Sequence, residues 1–444
     1  MFPKVMLSAI FAAALALVAV PAHSQEIENQ LIIVTSFSKD VTEPYRQAFQ
    51  KKYPGTTVEV QNRNTAAAVT FIRETRSNPP DIMWASAPDA FAVLKKDNLL
   101  QKYAPKAQGL ASKVGSYPIN DPAGFFVGFA ASGYGIMYNT RYLKANNLPA
   151  PKEWDDLKKA IYFGHVGFSA PSRSGTSHLT VETILQGEGW DKGWATLLEI
   201  GGNLQQVSDR SFGVPDAVNS GQYGIGIVID FFGLSAKASG FPVEFVYPTV
   251  TAIVPANVGI VANARNQRAA QAFVEFLLSD EGQQILLDPK IQRLPVRMDT
   301  YKKAPKDYPN PFTDLRLAKG ITFNSELSEQ RYELLNSLYD RVVTFRLRDL
   351  NAAWKAIQAA ETKLGANASP AAKDLLKQAR RLASTPPITE KEAIDPAIAG
   401  AFQALKAGQK AAGRQAEFES RWDAFASKNY AEARTLAEKA LTAK

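Results

Sequence analysis

The stretch Pro171–Glu182 reads PSRSGTSHLTVE, a run of hydroxyls, one guanidinium and one glycine that turns into a helical pattern. Such a run can cradle a phosphate, present a nucleophilic serine, or cap a helix. A nucleophile elbow needs G-x-S-x-G and a phosphate loop needs G-x-x-x-x-G-K-[ST]; neither is present here. A helix start carries unpaired amides and the positive end of a dipole, both suited to phosphate or carboxylate. Gly175 permits close backbone approach, while Ser172, Ser174 and Thr176 add donors. Arg173 can clamp two oxygens at once or point to solvent. An N-cap is compatible with the anion reading, because a helix start whose donors await a ligand is both.

Other stretches offer partners for this one. Ser36 and Phe37, in Thr35-Ser36-Phe37-Ser38, follow an apolar strand and precede a helix, so they face an anion or simply cap. Ser86 occupies the tip of another strand, beside Trp84, which is expected in the core. Asp209 and Arg210 either approach a ligand or pair with each other. Asp230 ends a buried run and is followed by Phe231 and Phe232; a carboxylate flanked by rings suits a hydroxyl or amine on a partly apolar ligand. His178 has no cysteine or histidine-rich set around it, so no metal, cofactor or catalytic residue is assigned; it is kept as a residue behind the site.

The elements that must position these groups are legible in the chain. Val5 to Val20 is almost wholly apolar after Lys4, and Ala22-His23-Ser24 fits signal-peptidase cleavage, so residues 1–24 are expected to be a signal peptide. The run is short for a membrane span. With no cysteine, the exported chain is expected without disulfides, in the periplasm. The net charge of +8 is mild and scattered, with no basic stripe for nucleic acid. It biases the chain toward anionic ligands.

Leu31–Val34, Thr57–Val60 and Ile82–Trp84 read as strands separated by helical patterns at Val41–Tyr53 and Asp89–Leu94, the start of an α/β domain. Phe125–Tyr138 reads as a pair of strands. Val166–Phe168 delivers the PSRSGTS run, Ile225–Asp230 is a buried strand, and Ala269–Leu287 is one amphipathic helix. From Glu326 strand signals vanish, and helical patterns at 329–360, 371–382 and 417–443 form a C-terminal region expected to dock on the α/β body.

LIIVTSFSKDVTEPYRQAFQKKYPGTTVEV, PPDIMWASAPDAFAVLKKDNLLQKYAP, LPAPKEWDDL, GHVGFSAPSRSGTSH, GWDKGWATL, GVPDAVNSGQYGIGIVIDFFG and AAQAFVEFLLSDEGQQIL, in this order, resemble the periplasmic solute-binding proteins of ABC importers. The similar group includes ferric-ion and organophosphate binders, and the resemblance runs over residues 30–300. It implies a two-lobed α/β fold (type II-like) with ligand in the interlobe cleft. Crossing strands would fall near 125–131 and 253–262. Lobe 1 would be 25–125 plus 255–325, lobe 2 would be 126–254, and 326–444 an added helical region. It also implies a non-enzymatic chain whose partners are a small anionic solute and an inner-membrane ABC permease. A monomer is expected, and a third reading gives the C-terminal region a signalling role, presenting ligand to a membrane sensor. The ferric-ion binders carry adjacent tyrosines where this chain has Phe231-Phe232, and phenylalanine cannot ligate iron. An organophosphate is therefore expected ahead of ferric ion. A hydrolase working through Ser174 and His178 stands as the reading from a different class.

Overall fold

The computed structural model describes residues 27–443, apart from 115, 116, 315, 316, 318, 319 and 406–408. The expected signal peptide and its cleavage site lie outside the described residues.

Leu31, Ile33 and Val34 are buried, so Gln30–Thr35 is an inner strand, flanked in parallel by Thr57–Asn62 and Ile82–Ala85. Val41, Tyr45 and Phe49 recur every fourth residue and turn one face of the Lys39–Lys52 helix onto this sheet. Tyr45 closes the layer by donating to the Gly282 carbonyl at 2.8 Å. Trp84 is fully buried against Phe37, Tyr45 and Phe129.

The sheet continues through Ile253–Val261, Val127–Asn139, Ile225–Ile229, Val166–Ser169 and Leu204–Ser208. Val127–Asn139 serves both halves: its first part pairs with Ile253–Val261 and its second with Ile225–Ile229 and Val243–Val246. It is one strand of 13 residues rather than the expected pair. Gly133 and Gly135 sit within it at close crossings. A Cβ at Gly133 would lie 2.5 Å from Ile253 Cδ1, and one at Gly135 would lie 2.2 Å from the Val246 carbonyl oxygen.

Two large cores flank this shared strand. One gathers Leu31 to Tyr134 with Ala252 to Tyr332 and takes in Leu179, Ile229 and Phe231 from across the seam; the other joins Ile136, Val166 and Ile227 with Leu334 to Ala440. The C-terminal region is thus part of the second core. Gly201 and Gly202 flatten the Trp190–Asn203 helix so that Leu347–Leu364 can lie on it; a Cβ at Gly202 would sit 2.3 Å from Trp354 Cδ1. Asn351 donates to the carbonyls of Gly201, Gly202 and Leu204 at that crossing. Below it, Arg331 grips Glu182 with Nε–Oε1 at 2.8 Å and Nη2–Oε2 at 2.9 Å, both side chains fully buried.

Three further expectations are corrected, two helical and one of a strand. Ala269–Leu287 is two helices, Gln267–Leu278 and Asp280–Ile285, because Ser279 Oγ accepts from Gly282 N and caps a new start. The pattern at 329–360 is broken at Arg331 and at a wide turn over Asp340–Thr344. Asp230 is the first residue of the helix Asp230–Ala238 rather than the last of a strand. Among the described residues no helix is long and apolar enough to cross a membrane.

Candidate ligand-binding cleft

The carboxyl ends of the strands from both halves face one seam, where doubly wound sheets place their ligands. On the first side the Gln30–Thr35 strand ends in a tight turn in which Thr35 Oγ1 accepts from Phe37 N at 3.0 Å. That turn sets Ser36, Phe37 and Ser38 on the wall, and the Ser38 hydroxyl makes no cap hydrogen bond to the helix that follows. Ser86 and Ala87, between Ile82–Ala85 and the Pro88–Lys96 helix, lie beside them with Asn64 and Thr65.

On the second side the Gly175–Glu188 helix starts at the seam. Ser174 is its cap, accepting from Ser177 N at 3.2 Å, and its hydroxyl proton remains available to a ligand. Gly175 meets the opposite side: its amide points at Thr65 Oγ1 at 3.4 Å, and a Cβ there would lie 2.5 Å from Ala87 Cβ. The glycine admits the other lobe rather than a ligand alone. Thr176, Ser211, Phe212, Phe231 and Phe232 complete this wall. About 30 Å³ is left between the two sides, so the lobes are in contact across the seam.

Eight of the ten residues singled out in the sequence meet here: Ser36, Phe37, Ser86, Arg173, Ser174, Gly175, Thr176 and Phe231. Ser172 and Asp230 are not on the wall. Ser172 Oγ is buried beside the Asp340 carboxyl of the C-terminal region. Asp230 is fully buried behind Phe231, where its carboxylate accepts from Gly133 N at 2.7 Å, Phe231 N at 2.7 Å and Tyr247 Oη at 2.9 Å. Those bonds tie the helix start to the long strand and leave no oxygen turned to the cleft. Asp209 pairs with Arg173, and Arg210 reaches over to Asn62 Oδ1 at 2.9 Å.

His178 is also away from the wall. Its Nδ1 faces Asn336 Oδ1 at 2.8 Å and its Nε2 faces Ser328 Oγ at 3.1 Å and Asp89 Oδ2 at 3.2 Å, with the Tyr332 ring against it. Both ring nitrogens are thus turned to the joint where the two lobes and the C-terminal region meet. The Ser174–His178 pair that a hydrolase would need is not formed.

Sequence reasoning missed Arg293. Its side chain is fully buried, stacked 3.6 Å from the Phe231 ring and 4.4 Å from Phe37, and Nη1 donates to Ser86 Oγ at 3.2 Å. Nε and Nη2 have no protein acceptor. Burial lowers its pKa to about 10, so it stays cationic at neutral pH, helped by the field of Asp230. An arginine next to the apolar stretch Leu294-Pro295-Val296 was the available signal, since a buried charge must have a purpose or a partner. The wall therefore carries Arg173, Arg210 and Arg293 and no Asp, Glu, Tyr or His.

Burial pushes the Asp230 carboxyl up to about 6, against the pull of its three hydrogen bonds. An unfolded Asp ionises near 4. As pH falls from 7 through 6 toward 4, the native chain takes up a proton that the unfolded chain does not, so this group adds stability on acidification. The gain is about 3 kcal/mol for a shift of about two units. Urea unfolding of the wild type and D230N at pH 7 and pH 4 should show the wild type gaining on the variant by that order. Equal pH slopes would exclude Asp230 as the titrating group.

Two sheet-bearing lobes around a seam lined by helix starts define a two-lobed solute-binding protein. The chain belongs to the family described as bacterial extracellular solute-binding protein, whose model matches residues 77–317. It is 33% identical over 342 residues to the phosphoglycerate transport regulatory protein PgtC of Salmonella typhimurium, spanning 77% of this chain and 83% of that one. Among solved structures it is similar to the periplasmic binding protein AfuA of Actinobacillus pleuropneumoniae with fructose-6-phosphate bound. That match has a TM-score of 0.64 and 20% identity, over 71% of this chain and 99% of AfuA. Iron-bound HitA of Pseudomonas aeruginosa matches at TM-score 0.58 and 18% identity, over 73% of this chain and 99% of HitA. These likenesses bear out the two-lobed α/β fold and the family resemblance read from the sequence.

Proposed function

We propose that this chain is the periplasmic substrate-binding component of an ABC importer and captures a small organic phosphate or phosphonate between its lobes. The observation that carries this reading is a cleft wall with three guanidiniums, a capped helix start, several hydroxyls and no carboxylate. Ser36, Ser86, Ser174, Gly175 and Thr176 supply hydroxyls and amides to the anion, Arg173 and Arg293 supply charge, and Phe37 and Phe231 cover the organic part. Ser172 and Asp230 support the wall from behind. The closing bodies are residues 25–125 with 255–325 and residues 126–254, the second carrying 326–444. Residues 1–24 direct export and are removed, and the exported chain works as a monomer.

A ferric-ion cargo is disfavoured, because a hard cation wants phenolate and carboxylate oxygens that this wall lacks. The word regulatory in the name of the Salmonella relative favours a second partner. A membrane sensor reached through residues 326–444 fits beside the ABC permease.

Isothermal titration with sugar phosphates, phosphoglycerates and aminoalkylphosphonates is the test. At least one is expected to bind while its unphosphorylated parent does not. Silence across the whole panel would sink the organophosphate reading.

A further inference from the structure

We propose that Arg293 makes closure of the cleft conditional on an oxyanion, by placing in the seam a cation with two unpaired donors that only a ligand with two adjacent oxygens satisfies. The proposal rests on the solute-binding reading above and adds how the site controls the lobes.

The protein contains its own yardstick. Arg331 holds Glu182 through Nε and Nη2, the two donors along one edge of the guanidinium. Arg293 has the same two donors, equally buried, and no protein acceptor for either. Its remaining protein hydrogen bond is the one from Nη1 to Ser86. Among the described residues no ion pair reaches it, and the oxygens of Asp230 are already taken by Gly133, Phe231 and Tyr247. The guanidinium remains charged at neutral pH.

Position gives this charge its leverage. Arg293, Ser86 and Phe37 belong to the first side of the seam, whereas Phe231, stacked on the guanidinium at 3.6 Å, belongs to the second. Parting the lobes removes Phe231 and lets water reach Nε and Nη2. Bringing them together strips that water, and a buried charge whose donors lack acceptors is penalised. A carboxylate, phosphate or phosphonate restores two charge-assisted hydrogen bonds along the free edge. The ligand thus binds the closed form better than the open one, which is the condition for it to shift the equilibrium.

The test pairs R293M, which keeps length and ring contact without charge, with R293K, which keeps charge without the fork. Small-angle scattering of the ligand-free proteins should show wild type and R293K extended and R293M more compact. Thermal melting of ligand-free R293M should come no lower than wild type, since replacing a buried unpaired charge by an apolar group relieves a cost. Addition of inorganic phosphate, or separately acetate, should compact the wild type and leave both variants unchanged. Whichever of the two acts identifies the oxyanion class. Affinity for any panel ligand that binds wild type should fall about 100-fold or more in both variants.

A purely structural arginine would give the opposite sign, a lower melting temperature in R293M with no compaction, and that result would overturn the proposal. So would R293M binding as tightly as wild type. Because the ligand-free comparison needs no cognate solute, failure of the organophosphate panel would leave the compaction result to stand or fall by itself.

Discussion

Alanine at Gly175 is expected to weaken ligand binding at least ~10-fold, about 1.4 kcal/mol, with no loss of thermal stability. The added methyl would sit 2.5 Å from Ala87 Cβ, and close to Thr65, 3.0 Å from Oγ1 and 3.2 Å from Cγ2. Neither side can rearrange cheaply. Gly175 opens one helix and Ala87 caps another, so the clash is between rigid starts with no long side chain to swing aside. Separation of the lobes is the available relief, and it undoes the contact that a bound ligand needs. The helix itself prefers alanine to glycine, so unfolding should not become easier. Calorimetric titration with the best ligand of the phosphate panel reads the effect, and scattering of the liganded protein should show incomplete closure. A87G placed on G175A should recover most of the affinity, because it removes the other half of the clash. Unchanged affinity in G175A would mean that the bound form does not close to this contact.

The largest stability effect is expected two turns along the same helix, at Glu182 and its partner Arg331. Arg331→Ala should cost about 3–5 kcal/mol, the penalty for leaving one member of a buried ion pair uncompensated. Burial alone would raise the Glu182 carboxyl, but the charge and two hydrogen bonds of Arg331 outweigh it and hold the group below its ordinary value. Loss of the arginine also frees the Trp190 face beneath it and the contact to Glu390. Trp194 and Trp354 lie in one core, so tryptophan fluorescence in urea should report a single transition at a lower midpoint. The pair R331M and E182Q, neutral on both sides, should regain much of the loss. A cost under ~1 kcal/mol for R331A would contradict a compensating role for the pair.

Much of the fold could be read from periodicity. The alternation of apolar runs with four-residue helical spacing marks Gln30–Thr35, Lys39–Lys52 and Thr57–Asn62 with little ambiguity. Crossings were harder to read. The run 125–138 was expected as two strands, but it is one, and Gly133 and Gly135 make room for chains that cross above it. Gly201 and Gly202 carried the same kind of message about Trp354, and only the tertiary contact discloses it.

The site divided in a similar way. Hydroxyls at helix starts are local features, so Ser36, Ser86 and Ser174 could be picked out one element at a time. Arg293 belongs to no motif, and its role depends on rings brought in from Phe37 and Phe231. Asp230 was recognised as unusual, yet its direction was set by Gly133 and Tyr247, which lie far from it in the chain or across the sheet.

The strand Val127–Asn139 gives the molecule a particular mechanical character. Its pairing passes from one half of the sheet straight into the other, with a bulge opposite Ala256–Asn257, so bending it is a matter of changing twist along a beam rather than turning a pin. A flexure of this kind stores elastic energy when bent and returns toward its rest shape without backlash. Its midpoint is held by the bond from Gly133 N to Asp230, directly behind the Phe231 ring of the cleft wall. Stiffness and recognition are therefore set a few ångströms apart, and substitutions at Asp230 act on the spring before they act on the solute.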